Sequence, residues 1–410
     1  MNRVLIISEF FPPMNGVGGL RAYYFAKYLK EFGWNVYVLT VKGHFNYKND
    51  NDLDTEFFDG CITRVDDLYD RPTKLNRLKF QLQKLIAPEK VGATKVYNRF
   101  LKKAEELIRN NAFDIIWGTC GPEWVHLLCS KLSAKYNIPW IADFRDLPDI
   151  YYSKNLFNKI SLQWSKYRRH NYLSGASAIV AVSRGVLDEF EGTNTLKEVI
   201  YNGYDEEMHD SLIKEGSSNK FGVLYCGTIY KWRSDPLPLL KAVKKLKASS
   251  LILSKDFQIQ FVGIKDNYLT ELVNRLELND YVSVSVNRVS YQESVKLMHD
   301  ANILFHLSHK NEKGVMTTKI FDYLASKHPI LSVPGDNGCV DSLLNETNGG
   351  ISLDNTKDIA DQIFQWYNKW KQTGKVVYNG DQKKIQKYSR KQQTLKLSKL
   401  LEQVMREKNI

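Results

Sequence analysis

Along almost all of the 410 residues, short apolar runs alternate with segments whose apolar residues recur at helical spacing. That alternation predicts βαβ units, because strands buried on both faces read as continuous apolar runs and the intervening helices cover them. Strands are expected at Val4 to Ser8, Val36 to Thr40, Ile115 to Gly118, Trp140 to Phe144, Ala178 to Val182 and Val199 to Tyr201. A second series follows at Val223 to Cys226, Ile259 to Val262, Val282 to Val286, Ile303 to Leu307 and Ile330 to Val333. Between the two lies a polar stretch, Asn202 to Lys220, holding Gly203, Gly216 and Ser217-Ser218. The predicted fold class is α/β, two doubly wound domains in tandem over residues 1–202 and 203–382. From Lys383 the chain is strongly charged, with Leu395, Leu397, Leu400, Leu401 and Val404 at helical spacing. Residues 383–410 are expected to form a helix that packs across the domain junction toward the N-terminal domain.

The length fits two cores of about 200 residues each, and a hydrophobic fraction of 43% is ample for both. With 58 Lys and Arg against 46 Asp and Glu, the net charge of +12 calls for an anionic partner. Five cysteines without a C-x-x-C spacing indicate neither a zinc site nor a disulfide framework, and they fit a reducing cytosol. The first apolar run, Val4 to Ile7, is too short for a secretory or membrane segment, so a soluble or peripheral protein is expected. Residues 74–109 carry ten Lys and Arg against three Glu, with Leu75, Leu78, Leu82, Leu85 and Ile86 at helical spacing. A basic amphipathic segment of this kind suits an anionic membrane surface; a solvated surface helix is the alternative. Nucleic acid is not the expected partner, since the basic residues are dispersed and no recognised motif appears.

Several strand ends gather chemistry. After the first strand, Phe11-Pro12-Pro13-Met14-Asn15-Gly16-Val17-Gly18-Gly19 leads into a helix, and glycines there let a backbone approach a phosphate closely. The spacing is not G-x-G-x-x-G and no acid ends the second strand, which disfavours a nicotinamide cofactor. His126 lies on the helix after Asp114 to Pro122, as either a structural or a site residue. Trp140-Ile141-Ala142-Asp143-Phe144-Arg145-Asp146 ends a buried strand in charges, where open α/β sheets hold ligands. In the second series, Gly227 is followed by Lys231 and Arg233, cations suited to a diphosphate, and Arg288 sits at a strand end able to hold a base. Thr318, Lys319 and Asp322 gather at a helix N-terminus that favours an anion, with the carboxylate placed to accept from ribose hydroxyls. Asp52-Leu53-Asp54 has a metal-diphosphate form but falls in a hydrophilic stretch and reads as solvated loop.

Six of these segments in order resemble the GT-B glycosyltransferases of the retaining family-four type, as found in bacterial polysaccharide, capsule and O-antigen assembly. They are Glu9-Phe10-Phe11-Pro12-Pro13 with Gly18-Gly19-Leu20-Arg21, Ala142 to Asp146, Val182-Ser183, Tyr201-Asn202-Gly203-Tyr204-Asp205, Gly227-Thr228-Ile229-Tyr230 with Arg233 and Pro236, and Lys319 to Ala325. The resemblance implies Rossmann-like domains with a cleft between them, an N-terminal acceptor domain and a C-terminal donor domain for a UDP- or GDP-sugar, and no metal. It places Gly16, Gly18 and Gly19 toward the donor diphosphate, Lys231 and Arg233 on its charge and Asp322 on the ribose. Arg145, Asp146 and His126 become candidates for catalytic roles toward sugar and acceptor. Many relatives carry an acid at the position of Gly314 and a histidine at that of Arg145. The implied function is transfer of the sugar to a glycan or lipid-linked glycan at the cytoplasmic face of the membrane. A nucleotide-sugar epimerase or hydrolase, or a non-catalytic binding subunit of the same fold, are the alternatives.

Overall fold

The computed structural model describes residues 1–14, 17–43, 53, 55–58, 60–70, 73, 76–146, 156–190, 192–193, 195–212, 219–229, 234–264, 267–287, 289–309 and 314–408. It divides into two compact units, Met1–Asn202 with Arg390–Ile410, and Gly203–Ser389. In the first unit the strands are β1 (Arg3–Ser8), β2 (Asn35–Val41), β3 (Ile62–Val65), β4 (Ile115–Cys120), β5 (Trp140–Phe144), β6 (Ala178–Ala181) and β7 (Leu196–Val199). The helices are α1 (Val17–Glu31), α2 (Arg77–Ile86), α3 (Thr94–Asn110), α4 (Trp124–Tyr136), α5 (Leu156–Leu173) and α6 (Arg184–Leu187). The sheet is parallel, in the order β3-β2-β1-β4-β5-β6-β7. Strand order reverses between β1 and β4, and ligands of doubly wound sheets bind outside the carboxyl ends at such a point. The register sets Ser8 beside Thr119 and Thr119 beside Asp143, so Glu9 and Cys120 leave the sheet level with Phe144, and Arg145 follows one residue on.

The second unit contains α7 (Glu206–Leu212), β8 (Phe221–Cys226), α8 (Leu237–Ala248), β9 (Phe257–Val262), α9 (Tyr268–Arg275), β10 (Val282–Ser285) and α10 (Tyr291–Asp300). It continues through β11 (Ile303–Leu307), α11 (Lys319–Ala325), β12 (Ile330–Val333), α12 (Cys339–Thr347), β13 (Gly350–Ser352), α13 (Thr356–Thr373) and α14 (Gln382–Gln386). Its sheet is also parallel, β10-β9-β8-β11-β12-β13, with the reversal between β8 and β11. The α/β class read from the chain is the observed one.

Differences from the sequence reading fall at sheet edges. β3 and β13 have no counterpart among the expected strands, and they are short and only partly buried. The strand expected at Val199 to Tyr201 lies earlier, at Leu196-Lys197-Glu198-Val199, because an edge strand alternates polar and apolar residues instead of running apolar. Of the interdomain stretch, residues 213–218, including Gly216 and Ser217-Ser218, lie outside the described residues.

The segment expected as one terminal helix from Lys383 is two. Asp381 caps α14, accepting from the backbone N–H groups of Lys383 and Lys384 at 3.1 Å, and α14 stays with the second unit. The last helix, α15 (Arg390–Lys408), belongs to the first unit. Its Leu397, Leu400, Leu401 and Val404 are buried in the core under α1, and Ser398 Oγ accepts from Trp34 Nε1 at 2.9 Å. The Arg390 guanidinium lies 3.9 Å from the centre of the Tyr24 ring. Leu401 is fully buried, so Leu401→Ala is expected to destabilise the first unit by about 2–5 kcal/mol. Lys399→Ala on the exposed face should change stability by less than about 0.5 kcal/mol. Urea denaturation of both variants checks this contrast.

Candidate functional site

At the carboxyl edge of the first sheet, β5 carries an aspartate inside an apolar strand, and a buried carboxylate needs charged and hydrogen-bonding partners. Asp143 finds them. Arg21 of α1 donates through Nε and Nη2 to its Oδ2 and Oδ1 at 2.9 and 2.6 Å, and Thr119 Oγ1 donates to Oδ2 at 2.7 Å. The same guanidinium reaches the Tyr201 carbonyl at 3.1 Å. Arg145 is similarly committed, its Nε donating to the Cys120 carbonyl at 2.7 Å and its Nη1 to the Gly18 carbonyl. The glycines leave room for this side chain: a Cβ on Gly121 would fall 2.2 Å from Arg145 Nη2 and displace it, and one on Gly18 would lie 3.2 Å from Nη1. Gly19 packs against the Phe11 backbone. Asp146 follows as an exposed residue.

His126, a catalytic candidate from the sequence, is fully buried. Its Nε2 lies 3.0 Å from the Gly118 carbonyl and 3.1 Å from the Asp143 carbonyl. Two carbonyls can only accept, so Nε2 carries the proton. Burial pushes its pKa down to about 4, which leaves a neutral ring tying β4 to β5. That corrects the catalytic assignment, and His126 is a positioning residue.

Glu9, at the end of β1, received no role from the sequence. Its side chain is buried and accepts from the Tyr69 hydroxyl, which in turn accepts from Trp124 Nε1 at 3.0 Å. Burial pushes the Glu9 carboxyl up to about 7, with Tyr69 and Arg145 acting in the opposite direction.

In the second unit, the carboxyl end of β8 meets the start of α11. The Lys319 ammonium lies over Gly227, where a Cβ would fall 2.5 Å from Nζ. It donates to the Tyr225 hydroxyl at 3.0 Å and sits 4.5 Å from that ring's centre. An ammonium has three donors, and Tyr225 takes one among the described residues. Tyr323 of α11 accepts from the Cys226 N–H at 3.2 Å, fixing helix to strand. Beneath them, His306 meets Ser332 Oγ at 3.0 Å and Thr317 Oγ1 at 3.4 Å. Burial, reinforced by Lys319, pushes His306 down to about 3, so it adds no charge beside the lysine.

Asp322 lies deeper than its place in the first turn suggests, because α11 is buried from Ile320 to Ala325. Its Oδ1 accepts from the Tyr291 hydroxyl at 2.7 Å and lies 3.5 Å from His209 Nε2. His209 Nδ1 is 3.2 Å from His299 Nε2. Burial first, then His209, pushes His299 down to about 4. Asp322 Oδ2 has no hydrogen-bond partner among the described residues.

Both units thus place cations, glycines and carboxylates at the carboxyl ends of parallel strands beside a reversal of strand order. The chain has the GT-B fold. Residues 18–208 match the model of Glycosyltransferase Family 4. By sequence alone the chain matches no curated protein. Among solved structures it is similar to HepE of Anabaena in complex with UDP and glucose, at 16% identity and a TM-score of 0.64, covering 98% of this chain and 100% of that one. A glycosyltransferase of Rickettsia africae gives 17% identity and a TM-score of 0.65, covering 98% of each chain. Sucrose-phosphate synthase of Thermosynechococcus elongatus gives 14% and 0.65, covering 99% of this chain and 100% of that one.

Of the sequence-derived residues, this GT-B chain joins Gly227 with Lys319, and Gly18 with Arg145. Thr318 directly precedes α11 and Gly314 is half-buried. Gly16, Lys231, Arg233 and Arg288 lie outside the described residues, as do Asp52 and Asp54. Arg21, Glu9, Tyr291 and the His209–His299 pair were not singled out. An aspartate within Trp140 to Phe144 was a usable signal for Arg21; the histidines, 90 residues apart in sequence, left none.

Glu9 has a consequence for stability. The folded protein keeps its proton up to about pH 7, whereas the unfolded chain loses it near the ordinary value of 4.5. Its stabilising contribution is complete below pH 4.5 and lost as pH rises through about 7. His126 acts oppositely, losing stability as pH falls from its ordinary 6.5 through about 4, so the comparison is best made against a variant. Glu9→Gln should gain on the order of 3 kcal/mol relative to wild type between about pH 5 and about pH 8. Urea unfolding at the two pH values reads this, and an unchanged difference would contradict the buried acid.

Proposed function

We propose that the chain is a metal-independent glycosyltransferase of hexosyl type. It moves a sugar from a UDP- or GDP-sugar, with retention, to a hydroxyl of a glycan or lipid-linked glycan acceptor in bacterial surface polysaccharide assembly. The observation that carries this reading is Lys319 poised over Gly227 at the carboxyl end of β8. A point charge above bare backbone suits a phosphate oxygen, since the glycine lets it approach closely and the ammonium retains donors for it. That neighbouring structures hold UDP or UDP-glucose favours uridine as the base.

In the reaction, the bond between the anomeric carbon and the donor phosphate oxygen breaks as the acceptor oxygen bonds to the same carbon and face. The acceptor's proton passes to the departing phosphate, and the nucleoside diphosphate leaves. The chain's part is positioning and stabilisation of the charge growing on the diphosphate. Lys319 takes that role, with Lys231 and Arg233 assigned to the same charge, Arg288 to the base and Asp322 Oδ2 to a ribose hydroxyl. The first unit is assigned the acceptor, with Asp146 at its edge, Arg145 ordering the Gly18 backbone and His126 ordering β4 and β5.

UDP should raise the melting temperature of the wild type, as a ligand of the folded state does by mass action. Lys319→Ala should lose most of that rise and at least about tenfold in turnover with a lipid-linked glycan acceptor. Full turnover and an undiminished UDP response in Lys319→Ala would remove the diphosphate assignment.

A further inference from the structure

The first unit exposes an apolar stripe that no part of the proposed chemistry uses. On α2, Leu78, Leu82 and Ile86 recur every four residues, hence on one face, and are 73%, 49% and 66% exposed. Single exposed leucines are ordinary; three in register on one helix are not. The neighbouring α5 adds Trp164 and Tyr167, exposed and stacked with ring centres 5.4 Å apart. The helices are joined where Ser161 Oγ donates to the Lys84 carbonyl at 3.2 Å.

The charge on these helices has one sign. Across α2 and α5 there are seven Lys and Arg and no Asp or Glu. Two of the seven are spent inside the unit, Arg168 on the buried Glu89 at 2.6 Å and Arg169 on Glu123 at 2.5 Å, and the exposed Lys79 also meets Asp70 at 3.2 Å. The stripe borders an open depression of about 510 Å³, lined by Leu78, Lys79, Leu82, Gln83, Ile86 and Ala87. Among the described residues it is formed by one stretch of chain, without the second wall that would grip a partner helix. No helix among the described residues is long and apolar enough to cross a membrane.

We propose that α2 and α5 form a docking surface for an anionic lipid bilayer. Leu78, Leu82 and Ile86 enter the boundary between headgroups and acyl chains, Trp164 and Tyr167 sit at headgroup level, and Lys79, Lys84 and Lys166 meet lipid phosphates. The inference deepens the function proposed above, resting on it in that a lipid-linked acceptor is presented at such a surface.

The test is sedimentation of the full chain with vesicles of mixed phosphatidylglycerol and phosphatidylcholine, and with phosphatidylcholine alone. Wild type should pellet with the anionic vesicles, less so as salt rises, and scarcely with the neutral ones. Leu78→Gln/Leu82→Gln/Ile86→Gln, all at exposed positions, should keep the melting temperature and any UDP-induced rise while vesicle affinity falls by at least about tenfold. Equal pelleting of variant and wild type, or no pelleting of wild type, would overturn the proposal. So would a wild-type dimer that the triple variant dissolves without any vesicle binding, because the stripe would then join two copies. The vesicle readout needs no donor, so a chain that binds vesicles but not UDP would fail the functional reading and keep this one.

Discussion

A carboxylate in the middle of a parallel sheet must be neutralised where it stands, and Asp143 is neutralised by Arg21. Their closest atoms are 2.6 Å apart, with side chains 0% and 1% exposed. Removing one partner of such a pair leaves a buried charge uncompensated, at a cost of about 3–5 kcal/mol. Much of the first unit's carboxyl edge depends on this contact. It ties α1 to β5, draws in β4 through Thr119, and holds the chain after β7 through the Tyr201 carbonyl. With α1 so fixed, the Gly18 carbonyl receives Arg145, whose other bond fixes the end of β4. His126 completes the arrangement as a neutral donor to two backbone carbonyls.

The second unit handles charge differently. Among the described residues there is no buried ion pair at the end of β8; a lysine lies over a glycine, and its other contact there is the neutral Tyr225. The nearby histidine is kept uncharged by burial. A cation with no carboxylate partner among the described residues is unspent electrostatically, which is what binding of an anionic diphosphate requires. The contrast supports giving the positioning work to the first unit's charges and the ligand work to Lys319.

Much of the architecture was legible from the chain. Central strands such as Trp140–Phe144, Ile303–Leu307 and Ile330–Val333 are buried on both faces and read as apolar runs. Of the four edge strands only Val282–Ser285 was legible; Ile62–Val65, Leu196–Val199 and Gly350–Ser352 are short and half-buried, and no apolar run marks them. Lys319 and Gly227 were legible because each stands next to a strand or helix end that the alternation already locates. The depth of Asp322 was not, since it depends on α10 supplying Tyr291 and α7 supplying His209. His126 shows the same difficulty: its residue type suggested chemistry, and only its burial showed a structural tie.

The central claim is that Lys319 and Gly227 form the seat of the donor's diphosphate. A crystal structure of the chain with UDP tests it most directly. The account predicts a β-phosphate oxygen within hydrogen-bond reach of Lys319 Nζ and packed against the Gly227 backbone. UDP bound with its phosphates remote from both residues would contradict it.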